Sequence, residues 1–200
     1  MHQPIQIGIT GGIGSGKSLI CRIFHVLGVP AYDADSQAKK LMTTDGILID
    51  QIKKEFGSLC YDERGVLNRE LLSKTVFNSP EKLTKLNSLV HPRVAKDYNQ
   101  WMNEQFGAKY CLKEAALLFE AGSYQALDKI IVVTAPDELR ITRVLQRDPQ
   151  RDKTDVEKII KNQMPQDEKM KKAHFIIKND ETELVVPQVL KLHEWLKSKK

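Results

Sequence analysis

The sequence predicts an α/β fold in which a parallel sheet is flanked by helices, with an inserted helical segment and a helical lid. Three observations predict it. Ile5, Ile7 and Ile9 form a short β-branched run that breaks into a glycine-rich loop and then into apolar residues at helical spacing, a strand–loop–helix unit. Ile130 to Val133 is an unbroken apolar stretch, the pattern of a parallel strand buried on both faces. Between Gly46 and Phe106 helical spacing recurs and no strand pattern is clear, which is more than a simple crossover needs.

The loop after the first strand carries the chemistry. Gly11-Gly12-Ile13-Gly14-Ser15-Gly16-Lys17-Ser18 matches G-x-x-x-x-G-K-[ST], the phosphate-binding pattern of P-loop NTPases. Glycines let the backbone curl its N–H groups toward one centre, and their missing side chains let phosphate oxygens approach. Downstream, Ile20, Ile23, Phe24 and Leu27 share one helical face, so the loop opens onto a helix N-terminus that favours an anion. Gly12 to Ser18, with Ile13 and Ser15 among them, are therefore the candidate nucleotide site. Lys17 is placed to reach the β- and γ-phosphates of ATP, and the Ser18 hydroxyl to ligate Mg²⁺, a cation that prefers oxygen. An ordinary glycine-rich turn is the alternative, and the correct elements on both flanks weigh against it.

Composition narrows the partners. A chain of 200 residues fits one unit (1–200) with a real core and modest insertions. The net charge of +5 does not form a nucleic-acid stripe. Lys191, Lys197, Lys199 and Lys200 against Glu194 concentrate it at a helical terminus, and no aromatics alternate with basic residues. No apolar run approaches the ~20 residues of a membrane span, and the N-terminus lacks the build of a signal peptide, so a cytoplasmic protein is expected. Cys21, Cys60 and Cys111 lie in no metal-ligand spacing and read as reduced thiols.

Along the chain, Gly28 to Tyr32 makes a second strand that ends at Asp33-Ala34-Asp35. Ligands of such sheets bind beyond the carboxyl ends of the strands, so Asp33 is the candidate to accept or align an attacking hydroxyl, while Asp35 is read as the cap of a helix over Ser36 to Met42. The insertion, approximately 34–107, shows a helix marked by Ile47, Ile49, Ile52 and Phe56 and a turn at Tyr61 to Gly65. Leu71 to Phe77 marks another helix, Ser79-Pro80-Glu81 starts a third, and Pro92 to Phe106 makes a fourth. His91 and Arg93, beside that last start, either hold an anionic group or are solvated neighbours of a helix-initiating proline. Lys109 to Glu114 returns to strand character, and Glu114 at its end is a candidate second carboxylate near the metal, although the run lacks the several apolar residues that usually precede such an acid. After the strand ending at Thr134, Arg140, Arg143 and Arg147 fall within ~60° of one another on a helix, a stripe suited to phosphate or to ion pairs with nearby aspartates. Residues 140–173 complete a helical lid that excludes water. His174 to Asn179 is a last strand, with Asn179 meeting an adenine edge or shaping a turn, and Glu183 to Lys197 a terminal helix.

In this order, TGGIGSGKS, Asp33-Ala34-Asp35, His91-Pro92, Leu117-Leu118-Phe119-Glu120, Arg143, Gln146-Arg147-Asp148, Asn162-Gln163-Met164-Pro165 and Asn179 resemble the dephospho-CoA kinases over nearly the whole chain. The resemblance implies ATP-dependent phosphorylation of the ribose 3′-hydroxyl of dephospho-CoA, the final step of coenzyme A synthesis. It implies Asp33 as base or hydroxyl-orienting group, Lys17, Arg143 and Arg147 around the phosphates, Arg143 and Asn179 on the nucleotide, and His91, Arg93, Leu118 and Glu120 with Asp33 on the acceptor. Four positions depart from the family pattern: Asn68, Ala116, Arg140 and His174. A nucleoside or nucleotide kinase shares the same core and lid. A GTP-dependent switch is disfavoured, because no Asn-Lys-x-Asp occurs and Asp62 to Gly65 falls in a polar turn. Nothing in the sequence sets an oligomeric state.

Overall fold

The computed structural model describes residues 3–77 and 79–198. Lys199 and Lys200, counted above in the basic terminus, lie outside the described residues, as does the side chain of Phe77. Five parallel strands form one sheet in the order β2-β3-β1-β4-β5. They are β1 (Ile5–Thr10), β2 (Ala31–Asp33), β3 (Tyr110–Glu114), β4 (Lys129–Thr134) and β5 (Phe175–Lys178). Around them run α1 (Lys17–Val26), α2 (Ala34–Thr44), α3 (Gly46–Phe56), α4 (Arg69–Phe77), α5 (Pro80–Asn103), α6 (Asp137–Arg147), α7 (Lys153–Asn162), α8 (Gln166–Lys171) and α9 (Val185–Lys197).

The chain divides into two compact units, residues 1–33 with 105–200, and 34–104. In the first, alternation decides which strand residues face which layer. Ile7 and Ile9, Leu112, Ile131 and Val133, and Ile177 bury against Ile20 and Phe24 of α1 and Val189 and Leu196 of α9. Gly8 lies on the other face, where Leu118, Leu127 and Ile130 crowd so closely that even a methyl group would overlap them. Central parallel strands need such cover on both faces, and only apolar residues supply it cheaply. Among the described residues no helix is long and apolar enough to cross a membrane.

Among the described residues the regular elements of the second unit are helices, with one bridge between Tyr61 and Leu67. One expectation for it fails. Pro92 does not start a helix; it lies inside α5, a single helix of 24 residues capped by the Ser79 side chain with Pro80 in its first turn. An interior proline costs about 3 kcal/mol. Val90, Val94, Tyr98 and Met102 form a buried stripe that continues across it, so packing carries the helix through. Asp35 differs too, lying within the first turn of α2.

Arg93 is likewise a structural residue. Its Nε donates to Asp45 Oδ2 at 2.7 Å, and Asp45 also caps α3 by accepting from the Leu48 N–H at 3.0 Å. Burial alone would raise the Asp45 carboxyl, but the Leu48 N–H and the Arg93 guanidinium outweigh it and hold it below the usual carboxylate range. A depressed folded-state value means stability present above the unfolded pKa, near 4, and lost as pH falls through the folded one. Arg93→Ala should therefore destabilise the protein by about 3 kcal/mol at neutral pH, with a smaller difference from wild type in acid. Urea melts at pH 7 and pH 3 check this.

Candidate active site

The phosphate loop is shaped by its glycines and fixed by side chains from distant elements. Gly14 and Gly16 sit at φ +76° and +93°, the left-handed region, and Gly16 is the residue from which α1 starts, with no side chain capping that end. A Cβ at Gly12 would overlap the Arg140 guanidinium, one at Gly14 the Arg140 backbone, and one at Gly16 the Asn179 carboxamide. Those neighbours make bonds as well as contacts. Arg140 Nε donates to the Ile13 carbonyl at 2.9 Å, Asn179 Nδ2 to the Ser15 carbonyl at 2.9 Å, and the Ile13 N–H donates to Gln163 Oε1 at 2.9 Å. Lys17 Nζ curls back to the Gly11 and Gly12 carbonyls at 2.9 and 3.3 Å. With the Ile13 and Ser15 carbonyls tied outward, and the Ser15 N–H closing back on the Gly12 carbonyl at 3.1 Å, the loop can present its remaining N–H groups to an anion.

Two carboxylates stand at the carboxyl ends of neighbouring strands. Asp33 and Glu114 are register partners on β2 and β3. The Ser18 hydroxyl donates to Glu114 Oε1 at 2.7 Å. Cys21, one helical turn beyond Ser18, reports on this centre. Burial foremost, then the charge of Glu114 and of Asp33, push its thiol far up, while Lys17 acts in the opposite direction. Lys17, Glu114 and Asp33 thus act on one side chain.

The arginine stripe of α6 resolves into three different environments. Arg140 is 3% exposed and bonds Asp137 at 2.6 Å besides the loop. Arg143 donates to the Asn179 carbonyl at 2.9 Å and pairs with Glu181 at 3.1 Å. Arg147 is the outermost, paired with Asp148 at 2.9 Å. Farther along, the segment after α7 is pinned by Glu120, whose Oε1 accepts from the Met164 N–H at 2.8 Å and pairs with the buried Lys169 ammonium at 2.9 Å. Burial raises the Glu120 carboxyl, but those two donors outweigh it and keep it below its usual value.

The sequence profile of the dephospho-CoA kinases matches residues 5–184. The chain belongs to the dephospho-CoA kinase family. It is 37% identical to a dephospho-CoA kinase of Bacteroides fragilis over 98% of this chain and 95% of that one. Its backbone is similar to a Thermus thermophilus structure at a TM-score of 0.88, with 31% identity, covering 99% of this chain and all of the other. A dephospho-CoA kinase structure from Campylobacter jejuni gives 0.70 at 28% identity, with 96% of each chain covered. The activity of the family is ATP-dependent phosphorylation of dephospho-CoA in coenzyme A biosynthesis, so the chain is a phosphotransferase acting on an alcohol group of a small molecule.

For a dephospho-CoA kinase, several residues stand elsewhere than the sequence placed them. Leu118 is fully buried beneath Gly8 and offers no surface to an acceptor. Glu120 clamps Met164 and Lys169 rather than facing substrate, because a buried ammonium demands a carboxylate. The Asn179 amide is turned onto the phosphate loop, not an adenine edge. Arg140 and Gln163 brace the loop without having been singled out for it. The arginine stripe was visible at helical spacing, but which of its members turns inward depends on contacts some 127 residues away in the chain. Gln163 had only its place in the Asn162 to Pro165 motif. Glu120→Ala should cost about 3–5 kcal/mol by stranding Lys169, yet leave the acceptor KM unchanged; Glu120→Leu with Lys169→Met should recover most of the loss. Thermal melts and steady-state kinetics on the three variants check it.

Proposed function

We propose that Asp33 aims and deprotonates the ribose 3′-hydroxyl of dephospho-CoA for in-line attack on the γ-phosphorus of ATP. The observation that supports this is the register pairing of Asp33 with Glu114, whose carboxylate accepts from the first-turn Ser18 of the loop's own helix. One carboxylate then serves the acceptor and its neighbour the donor. The oxygen of the acceptor forms the new bond to phosphorus, the bond from γ-phosphorus to the bridging oxygen breaks, the proton passes to Asp33, and ADP leaves. The Gly12 to Ser18 loop holds the triphosphate, by the backbone N–H groups that Gln163 and the Gly12 carbonyl do not take up, and Lys17 exchanges the Gly11 and Gly12 carbonyls for phosphate oxygens.

Ser18 and Glu114 bring together two oxygen donors 2.7 Å apart, a set that fits Mg²⁺. Bound there, Mg²⁺ would supply charge neutralisation at the β- and γ-phosphates. Residues 140–173 are proposed as the lid, with Arg147, the most exposed of its stripe, reaching the transferring phosphoryl once it exchanges Asp148 for phosphate. Arg143 acts one step back, orienting Asn179 and through it the loop. The unit of residues 34–104 is the proposed acceptor-binding unit, with His91 on an exposed face of α5 among its contacts.

Phosphate transfer from ATP to dephospho-CoA, measured with and without Mg²⁺, tests the reading. Asp33→Asn should lower kcat by about 10²–10⁴-fold while ATP affinity stays nearly intact. Turnover equal to wild type would remove Asp33 from the mechanism.

A further inference from the structure

Gln163 follows the last residue of α7 and reaches across to the phosphate loop, 150 residues away in the chain, to accept the Ile13 N–H at 2.9 Å. That bond settles which way the carboxamide is turned. An N–H donor demands an acceptor, so the oxygen faces Ile13 and the NH₂ group faces away from it. Among the described residues this is the carboxamide's one hydrogen bond, which leaves two donor hydrogens on Nε2 unused. Gln163 and Gly12 also line the same cavity of about 470 Å³, with Arg140, Lys161, Asp137 and Asp167 in its wall. Asp137 is neutralised there by Arg140.

Position along the loop gives the unused donor its partner. The N–H groups nearest the start of α1, from Gly16 onward, favour the β-phosphate, because the helix N-terminus concentrates positive potential there. Ile13 lies three residues before Gly16, away from the helix N-terminus, and with the β-phosphate at that N-terminus this is the side left to the third phosphate. We propose that Gln163 recognises the terminal phosphate of the nucleotide: Ile13 fixes the carboxamide through Oε1, and Nε2 donates to a γ-phosphate oxygen. The enzyme thereby favours ATP over ADP through a residue that belongs to neither the loop nor its helix. Because Gln163 also ends α7, the same contact ties the helical segment 153–171 to the presence of the donor phosphate.

This inference rests on the phosphate-loop reading of the site but not on the identity of the acceptor, so nucleotide binding without acceptor tests it separately. Calorimetric titration of the full chain with ADP and with a β,γ-imido analogue of ATP, both with Mg²⁺, gives the ratio of the two affinities. Gln163→Ala should weaken the triphosphate analogue by tenfold or more and leave ADP within twofold. Gln163→Glu, nearly the same shape, still accepts from Ile13 but carries no donor and repels phosphate, so it should weaken the analogue further. Equal losses for both nucleotides, which a mere brace of the loop would give, would overturn the proposal, as would no loss in either variant. Melting curves of the two variants within a few degrees of wild type show that the binding changes are read on folded protein.

Discussion

Everything the protein does with a nucleotide depends on keeping one short stretch of backbone turned inside out. A peptide N–H left without a partner is costly unless water or a ligand satisfies it, and the chain tends to fold such groups onto its own carbonyls. Here the competing carbonyls are engaged by side chains, although that of Gly12 also accepts the Ser15 N–H at 3.1 Å. Arg140 holds that of Ile13, Asn179 that of Ser15, and Lys17 those of Gly11 and Gly12. The loop is thus less a flexible glycine run than a backbone held from three directions, with left-handed glycines at two of the three places where a side chain would collide with those same braces.

This bracing explains why the sheet order matters. β1, which delivers the loop, lies between β3 and β4, and β5 beyond β4 carries Asn179 from its carboxyl end to the loop. On the other side β3 and β2 bring Glu114 and Asp33 to the same edge in register. A parallel sheet puts all its carboxyl ends on one edge, so groups from four separate strand ends meet with no long loop to position them. The Glu114 to Ser18 bond then joins strand to helix at the point where the loop ends.

Much of this was legible in the residues. The strand–loop–helix unit announces itself because glycine, lysine and serine at that spacing answer to a single chemical need, and Asp33 is found from the rule that ligands sit beyond strand ends. The unbroken apolar run at Ile130 to Val133 is similarly direct. What was illegible shares one cause, that a side chain's role was set by a partner far along the chain. Leu118 was read as a substrate contact and is core; Glu120 answers to Lys169; Asn179 answers to Ser15. Pro92, inside α5, misleads for a different reason. Proline punctuation is a local signal, and the stripe from Val90 to Met102 overrode it by burial.

The placement of Cys21 carries a consequence for chemistry of another kind. A sulfur atom sits one turn into the helix beneath a phosphate-binding hollow, beside a lysine, where thiols elsewhere become reactive anions. In this protein burial reverses that tendency, and Glu114 and Asp33 reinforce it. Peroxides and electrophiles attack the ionised sulfur, so burial and the neighbouring carboxylates together keep this thiol inert.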